Sequence, residues 1–170
     1  FNRILIKDVM TPRIVVVAED GSTIIKEFHN RNSELPFSRI PVYEDSNDKV
    51  TGYVLKDKIL LNLVEGKGDE TLNSLRRDII ISHSATPIPN LLDKFIAEKE
   101  HIALVVDEYG GMEGIVTMED IIETLLGIEI VDEMDSAEDM RALARKNWKL
   151  RARKMGLLPT DESVKDGDSG

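Results

Sequence analysis

Cysteine is absent from the 170 residues. That excludes a disulfide scaffold, a thiolate nucleophile and any zinc site with sulfur ligands, and it permits a reducing compartment. Histidine is scarce as well: His29, His83 and His101 are scattered along the chain, a poor basis for a transition-metal site built from protein alone. Long apolar runs are also missing. Ile14 to Ala18 and Ile102 to Val106 are the longest, far short of the ~20 residues that cross a bilayer as a helix. Finally, base is in deficit: 22 Lys and Arg against 32 Asp and Glu leave a net charge of −10. Phosphate contacts need a positive face, so a charge of that sign argues against binding a nucleic-acid backbone through the bulk surface.

What remains is a globular composition, with 41% hydrophobic and 32% charged residues and a mean hydropathy of −0.22. A chain of this length buries about 70% of its unfolded surface, enough for one or two domains. Its charges are unevenly spread. Glu129 to Asp139 holds six acids and no base, whereas Arg141 to Lys154 holds seven bases and no acid. The chain begins at Phe1 without an initiator methionine or a signal-peptide pattern, and reads as a piece of something longer.

A repeat organises the sequence. Shifted by 62 residues without a gap, Arg39 to Val64 lies over His101 to Leu126, and Ile40, Asp45, Gly52, Val54 and Ile59 meet Ile102, Asp107, Gly114, Val116 and Ile121. Upstream, a shift of 67 puts Ile24, Ile25 and Phe28 over Leu91, Leu92 and Phe95, which places an insertion of about five residues around Asn32 to Pro36 of the first copy. Each copy opens on a short β-branched strand, Ile14 to Val17 or Ile79 to Ile81. A helix with apolar residues at helical spacing follows. Next comes a hairpin, Ile40 to Tyr43 with Gly52 to Leu55, or Ile102 to Val106 with Gly114 to Thr117. The closing helix carries Ile59, Leu60, Leu63 and Val64, matched by Ile121, Ile122, Leu125 and Leu126. A β-α-β-β-α unit of this size is too small to stand well alone. The expected fold is therefore α+β: two such units packed sheet to sheet around a shared core, with a C-terminal helix. The expected boundaries are 7–64 for the first unit, 65–75 for a linker, 76–132 for the second unit, 133–158 for a basic amphipathic helix and 159–170 for a disordered tail.

These residues carry a family resemblance. VMTPR (Val9 to Arg13), SRIPVYE (Ser38 to Glu44), LVVDEYGG (Leu104 to Gly111) and GIVTMEDIIETLLG (Gly114 to Gly127) together resemble a tandem pair of CBS domains. The pair is similar to that of the CorC/HlyC-type, cyclin-M-like magnesium and cobalt transport or efflux proteins, once called hemolysin-like. The resemblance covers Lys7 to Asp132. It implies a non-enzymatic regulatory module, a homodimer formed through the pair, and an upstream transmembrane domain with the module on the cytoplasmic face of the membrane.

The most informative stretch is Gly114 to Asp120. Thr117 as N-cap with Asp120 three residues on is a capping pattern, sufficient by itself to start a helix. A carboxylate at that place can also accept two hydrogen bonds from a ribose diol while the hydroxyl and helix amides face a phosphate. In CBS pairs the Thr-x-x-Asp arrangement is the adenosine ribose and phosphate element, so the resemblance implies that Thr117 and Asp120 bind AMP or ATP. The first copy has Leu55 and Lys58 at those positions, so one competent site is expected rather than two. The resemblance further implies Thr11, with Phe37, Ser38 and Ile40 flanking the adenine and His101 reaching toward the phosphates. Arg39 is a phosphate candidate because a guanidinium fork suits phosphate oxygens. Each has an ordinary alternative: a turn start at Thr11-Pro12, an edge strand after Ser38, a surface histidine, a surface ion pair for Arg39. With ATP, Mg²⁺ bridging the phosphate oxygens would arrive with the ligand; no set of protein ligands for it stands out. Asp107 to Gly111 lacks the spacing of a calcium loop and reads as a hairpin turn.

Ala137 to Met155 carries Met140, Leu143, Ala144, Trp148, Ala152 and Met155 on roughly one helical stripe, closed by Gly156 and Pro159. It either lies on an anionic membrane or packs on the CBS pair or a dimer mate, its bases answering the acidic run before it. Three functions compete: a nucleotide-sensing module controlling an attached ion transporter, a ligand-free dimerisation module, and a nucleotide hydrolase. No paired carboxylates, Ser-His-Asp set or P-loop supports the last.

Overall fold

The computed structural model describes residues 4–130 and 137–154. In chain order the elements are α1 (Ile6–Val9), β1 (Thr11–Pro12), a 3-10 turn (Arg13–Val15), β2 (Glu19–Asp20), α2 (Ile25–Arg31), β3 (Arg39–Tyr43), β4 (Val50–Leu55) and α3 (Lys56–Val64). A second 3-10 turn (Leu72–Leu75) leads to β5 (Ile80–His83), α4 (Ile88–Glu98), β6 (Ile102–Val106), β7 (Met112–Thr117), α5 (Met118–Ile130) and α6 (Ala137–Lys154). One sheet has the order β2-β3-β4 and the other β1-β7-β6-β5; in each, the hairpin is antiparallel and a parallel strand joins its first arm. The α+β fold with a C-terminal helix is as the repeat implies.

The strand expected at Ile14 to Val17 does not form. Pro12 has no backbone donor to extend a ladder, the chain turns through Arg13–Val15, and Ile14 stands 87% exposed. Pairing is limited to Thr11–Pro12 and Glu19–Asp20 on either side. The hairpin reading of Asp107 to Gly111 agrees with the geometry: Asp107 Oδ1 accepts from the amides of Tyr109 (2.9 Å) and Gly111 (2.8 Å), and Gly110 takes a φ of 79°.

Each copy has its own core, and the two cores exchange their lead-in segments. Ile4, Ile6 and Val9 stand ahead of the first copy's helices and hairpin but are buried with Ile88, Phe95, Val105 and Ile121 of the second. In return Leu72, inside the expected linker, is fully buried with Ile25, Phe28, Val42 and Val54 of the first. Each such aliphatic side chain contributes roughly 1.5–3 kcal/mol on burial. A third cluster holds Tyr53 against Ile102, Leu104 and Ile115, with Val16, Leu55 and Ile79 beside them; it is the layer shared by the two sheets.

The exchange demands close backbone crossings. β1 runs antiparallel to β7 with Pro12 opposite Gly114, and a Cβ on Gly114 would stand 2.2 Å from the Thr11 carbonyl oxygen. In the other copy Arg77 and Tyr53 exchange backbone hydrogen bonds of 3.0 and 2.8 Å, and a Cβ on Gly52 would stand 2.3 Å from the Arg77 carbonyl oxygen. The identical glycines of the repeat thus perform the same task twice.

The helix stripes divide. Ile59 and Ile121 are buried, while Leu60 and Val64 of the α3 stripe with the neighbouring Leu61, and Ile122 and Leu126 of α5, face outward. α6 packs against α1 and α5, with Ala144 and Ala152 buried and Arg141 Nε 3.0 Å from Asp8 Oδ1. Its small residues let the helices approach, and its ion pairs reach acids of α1 and α5. The predicted tail, Met155 and Gly156 lie outside the described residues, as do residues 131–136 of the acidic run.

Gly114→Ala and Gly52→Ala should each lower the unfolding free energy by about 1–3 kcal/mol. Urea unfolding should show a lower midpoint at unchanged slope; a parental midpoint would show that the crossings tolerate a side chain.

Candidate functional site

The site grows from the junction of β7 and α5. Thr117 ends the strand and caps the helix: its amide donates to Asp120 Oδ2 at 3.0 Å and its Oγ1 accepts from the Asp120 amide at 3.2 Å. This reciprocal box satisfies two helix-start donors and fixes the carboxylate beside the positive end of a 13-residue helix. Met118 N donates to the His101 carbonyl oxygen at 2.9 Å, holding His101 at the same junction.

The opposite wall comes from the first copy. Lys56 holds the loop before β3 at two points: its amide donates to the Ser38 carbonyl oxygen at 2.9 Å, and its Nζ bonds the Leu35 carbonyl oxygen. Phe37, Ser38 and Arg39 are thereby set facing Thr117 and Asp120 across a cavity of about 460 Å³, with Thr11 of β1 and the Val15–Val17 stretch completing the wall. A cavity of this volume suits a small organic ligand. Thr11, Phe37, Ser38, Arg39, His101, Thr117 and Asp120 all line it. Ile40 does not: it is 2% exposed and belongs to the first copy's core, because strand alternation turns it away from Arg39.

Burial pushes the Asp120 carboxyl above the ordinary carboxylate range, and the Arg151 guanidinium and the Thr117 hydrogen bonds pull against it. Glu123 is raised for the same first reason, again opposed by Arg151. Arg151 Nη1 pairs with Asp120 Oδ1 and lies 2.9 Å from Glu123 Oε2. Trp148, Arg151 and Ala152 of α6 line the cavity as well. The sequence reading put Trp148 and Ala152 on a packing stripe but missed Arg151 and Glu123 as cavity residues. The one signal was the run of seven bases without an acid, which required partners elsewhere. Arg39 behaves differently: its Nε is buried and has no hydrogen-bond partner.

The first copy lacks this arrangement. Leu55 offers no side-chain cap to α3, and Lys58 is solvent-exposed. The repeat equivalents of three lining positions bond one another instead. Tyr53, matching Ile115, donates to Glu100 Oε2 at 2.6 Å; Glu100 matches Ser38; Arg77, which crosses Tyr53 as Thr11 crosses Ile115, donates from Nε to the Tyr53 hydroxyl at 3.1 Å. Its guanidinium also lies over the Tyr53 ring, 5.9 Å from the centroid. Burial and the bond to Glu100 hold the Tyr53 hydroxyl above its usual pKa, with Arg77 opposing.

Comparison with known proteins agrees with this architecture. The CBS domain family matches twice, at residues 6–65 and 72–127. The magnesium and cobalt efflux protein CorC of Salmonella typhimurium is 31% identical over 150 residues, 86% of this chain and 51% of the relative. The chain thus spans about half the length of that relative. The CBS domain of a bacterial CNNM/CorC family Mg²⁺ transporter, solved in complex with ATP, superposes with a TM-score of 0.70 at 30% identity, covering 74% of this chain and 89% of that one. A CBS-domain pair with bound AMP from Klebsiella pneumoniae gives a TM-score of 0.62 at 30% identity, covering 72% and 98%. Two copies in sequence, two exchanged cores and one cavity between the sheets have a single reading: the chain belongs to the CBS-domain family, as a tandem pair similar to those of the CNNM/CorC transporters.

Proposed function

We propose that the chain is a regulatory module that binds an adenine nucleotide, AMP or ATP, between its two CBS domains and controls an attached Mg²⁺ or Co²⁺ transport domain at the cytoplasmic face of a membrane. The observation that carries this reading is the buried Asp120 carboxylate at the start of α5, opening into a cavity that also presents Phe37, Arg39 and His101. A ribose diol supplies two donors to such a carboxylate, Phe37 offers an apolar face to a base, and the partnerless Arg39 Nε supplies a donor for phosphate. The solved relatives named with ATP and with AMP support the same ligand class. Control of a transport domain would follow by linkage: a nucleotide shifts the parent only by its difference in affinity between two conformations. On this reading the module acts by binding rather than by catalysis.

Charge favours some nucleotides over others. The cavity is lined by the cations Arg39 and Arg151 and the acids Glu119, Asp120 and Glu123. Such a lining disfavours free ATP, whereas Mg²⁺ on the phosphates removes most of the repulsion.

A dimerisation role stands beside this one. The outward Leu61 and Val64 of α3 and Ile122 and Leu126 of α5 give the pair apolar faces suited to a second copy.

Calorimetric titration of the chain should give binding heat with AMP and with ATP. Asp120→Ala should lose about a hundredfold in affinity, since two hydrogen bonds to a charged group vanish. Unchanged affinity in that variant would remove Asp120 from the site, and absence of heat with every nucleotide would leave the dimerisation role alone. Mg²⁺ should tighten ATP binding by at least about tenfold and leave AMP unchanged; equal effects on both would refute the charge argument. Light scattering should give the mass of a dimer, reduced to a monomer by Leu126→Glu together with Val64→Glu.

A further inference from the structure

The cavity has a wall that the repeat does not supply. α6 follows the second CBS domain and lies across α5, where its buried Ala152 brings the neighbouring Arg151 down onto the site. The two oxygens of Asp120 are then both engaged. Oδ2 accepts from the Thr117 amide, and Oδ1 pairs with Arg151 Nη1. Oδ1 is the oxygen that a ligand would need, because the Thr117 bond is part of the helix cap and is not given up without uncapping α5. Both partners are largely withdrawn from water, with side-chain exposures of 17% for Arg151 and 7% for Asp120.

We propose that Arg151 and the ribose of a bound nucleotide compete for Asp120, so that α6 is a latch on the cavity and nucleotide binding frees its C-terminal turns. This rests on the nucleotide reading above. The chemistry of exchange is balanced. A buried carboxylate stripped of its cation is costly, but the vicinal hydroxyls of ribose replace that partner with two donors. The displaced guanidinium is not stranded either, because Glu123 Oε2 already lies 2.9 Å from its Nη1 as an ion-pair partner and is more exposed than Asp120. Near balance is what a switch requires: a small difference in free energy is enough to change which partner holds the carboxylate. By reciprocity, whatever holds α6 in place weakens the nucleotide by the factor by which the nucleotide loosens α6. The helix thereby becomes an output of the site.

Titration with adenosine and with AMP, on the full chain and on Arg151→Ala and the milder Arg151→Gln, separates a competitor from a phosphate ligand. Competition predicts that both variants bind adenosine about tenfold more tightly, with AMP also tightened. Weaker AMP binding with unchanged adenosine would make Arg151 a phosphate ligand and overturn the latch; unchanged affinity for both would overturn it too. Absence of binding to the parent and both variants would instead defeat the nucleotide reading itself. Trp148 is the chain's single tryptophan and sits on α6 at the cavity. Its quenching by acrylamide should rise when AMP saturates the parent and be already raised in Arg151→Ala without nucleotide; unchanged quenching in both would overturn the displacement of α6.

Discussion

The close crossing of each lead-in segment over the other copy's hairpin is the constraint on which the rest depends. At Gly114 and Gly52 the backbone of one segment approaches where any side chain would stand, with Thr11 and Arg77 the residues that cross. Because the segments are exchanged, neither copy completes its core alone: Ile6 fills the second and Leu72 the first. Two units too small for independence become one body. The same crossing puts Thr11 and the Val15–Val17 stretch at the mouth of the space between the sheets, so the cavity is a consequence of how the repeat closes.

Within that frame the two copies diverge electrostatically. The second copy keeps a carboxylate at its helix start, and burial there makes the charge expensive unless donors face it. Thr117 and Arg151 meet the need. On the other side of the pair, Tyr53 of the first copy is bonded by Glu100 and Arg77 of the second, at the repeat equivalents of Ile115, Ser38 and Thr11. A pair built from similar units therefore differs from side to side, with a bonded Tyr53, Glu100 and Arg77 cluster on one and the Asp120 cavity on the other.

Much of this was legible in the residues. The shift of 62 aligned the hairpins and closing helices, and it paired Gly52 with Gly114 before any reason for the pairing was visible. Thr117 and Asp120 were readable as a cap because the interaction spans three residues. Ile40 was misplaced into the cavity because a one-residue step along a strand reverses the face, and only the sheet says which face is inside. The strand expected at Ile14 to Val17 failed because β-branched residues favour extended backbone but cannot supply a ladder partner.

The order of residues, by itself, determined the repeat, the hairpins and the helix cap, and its motifs carried the family resemblance. Tertiary structure decided what depends on segments far apart in sequence: which core each lead-in segment fills, and that Arg151 rather than solvent holds Asp120. The physical reason is the range of the interactions. Periodicity and capping act within a few residues, whereas a buried ion pair between residues 120 and 151 exists only once α6 has found α5.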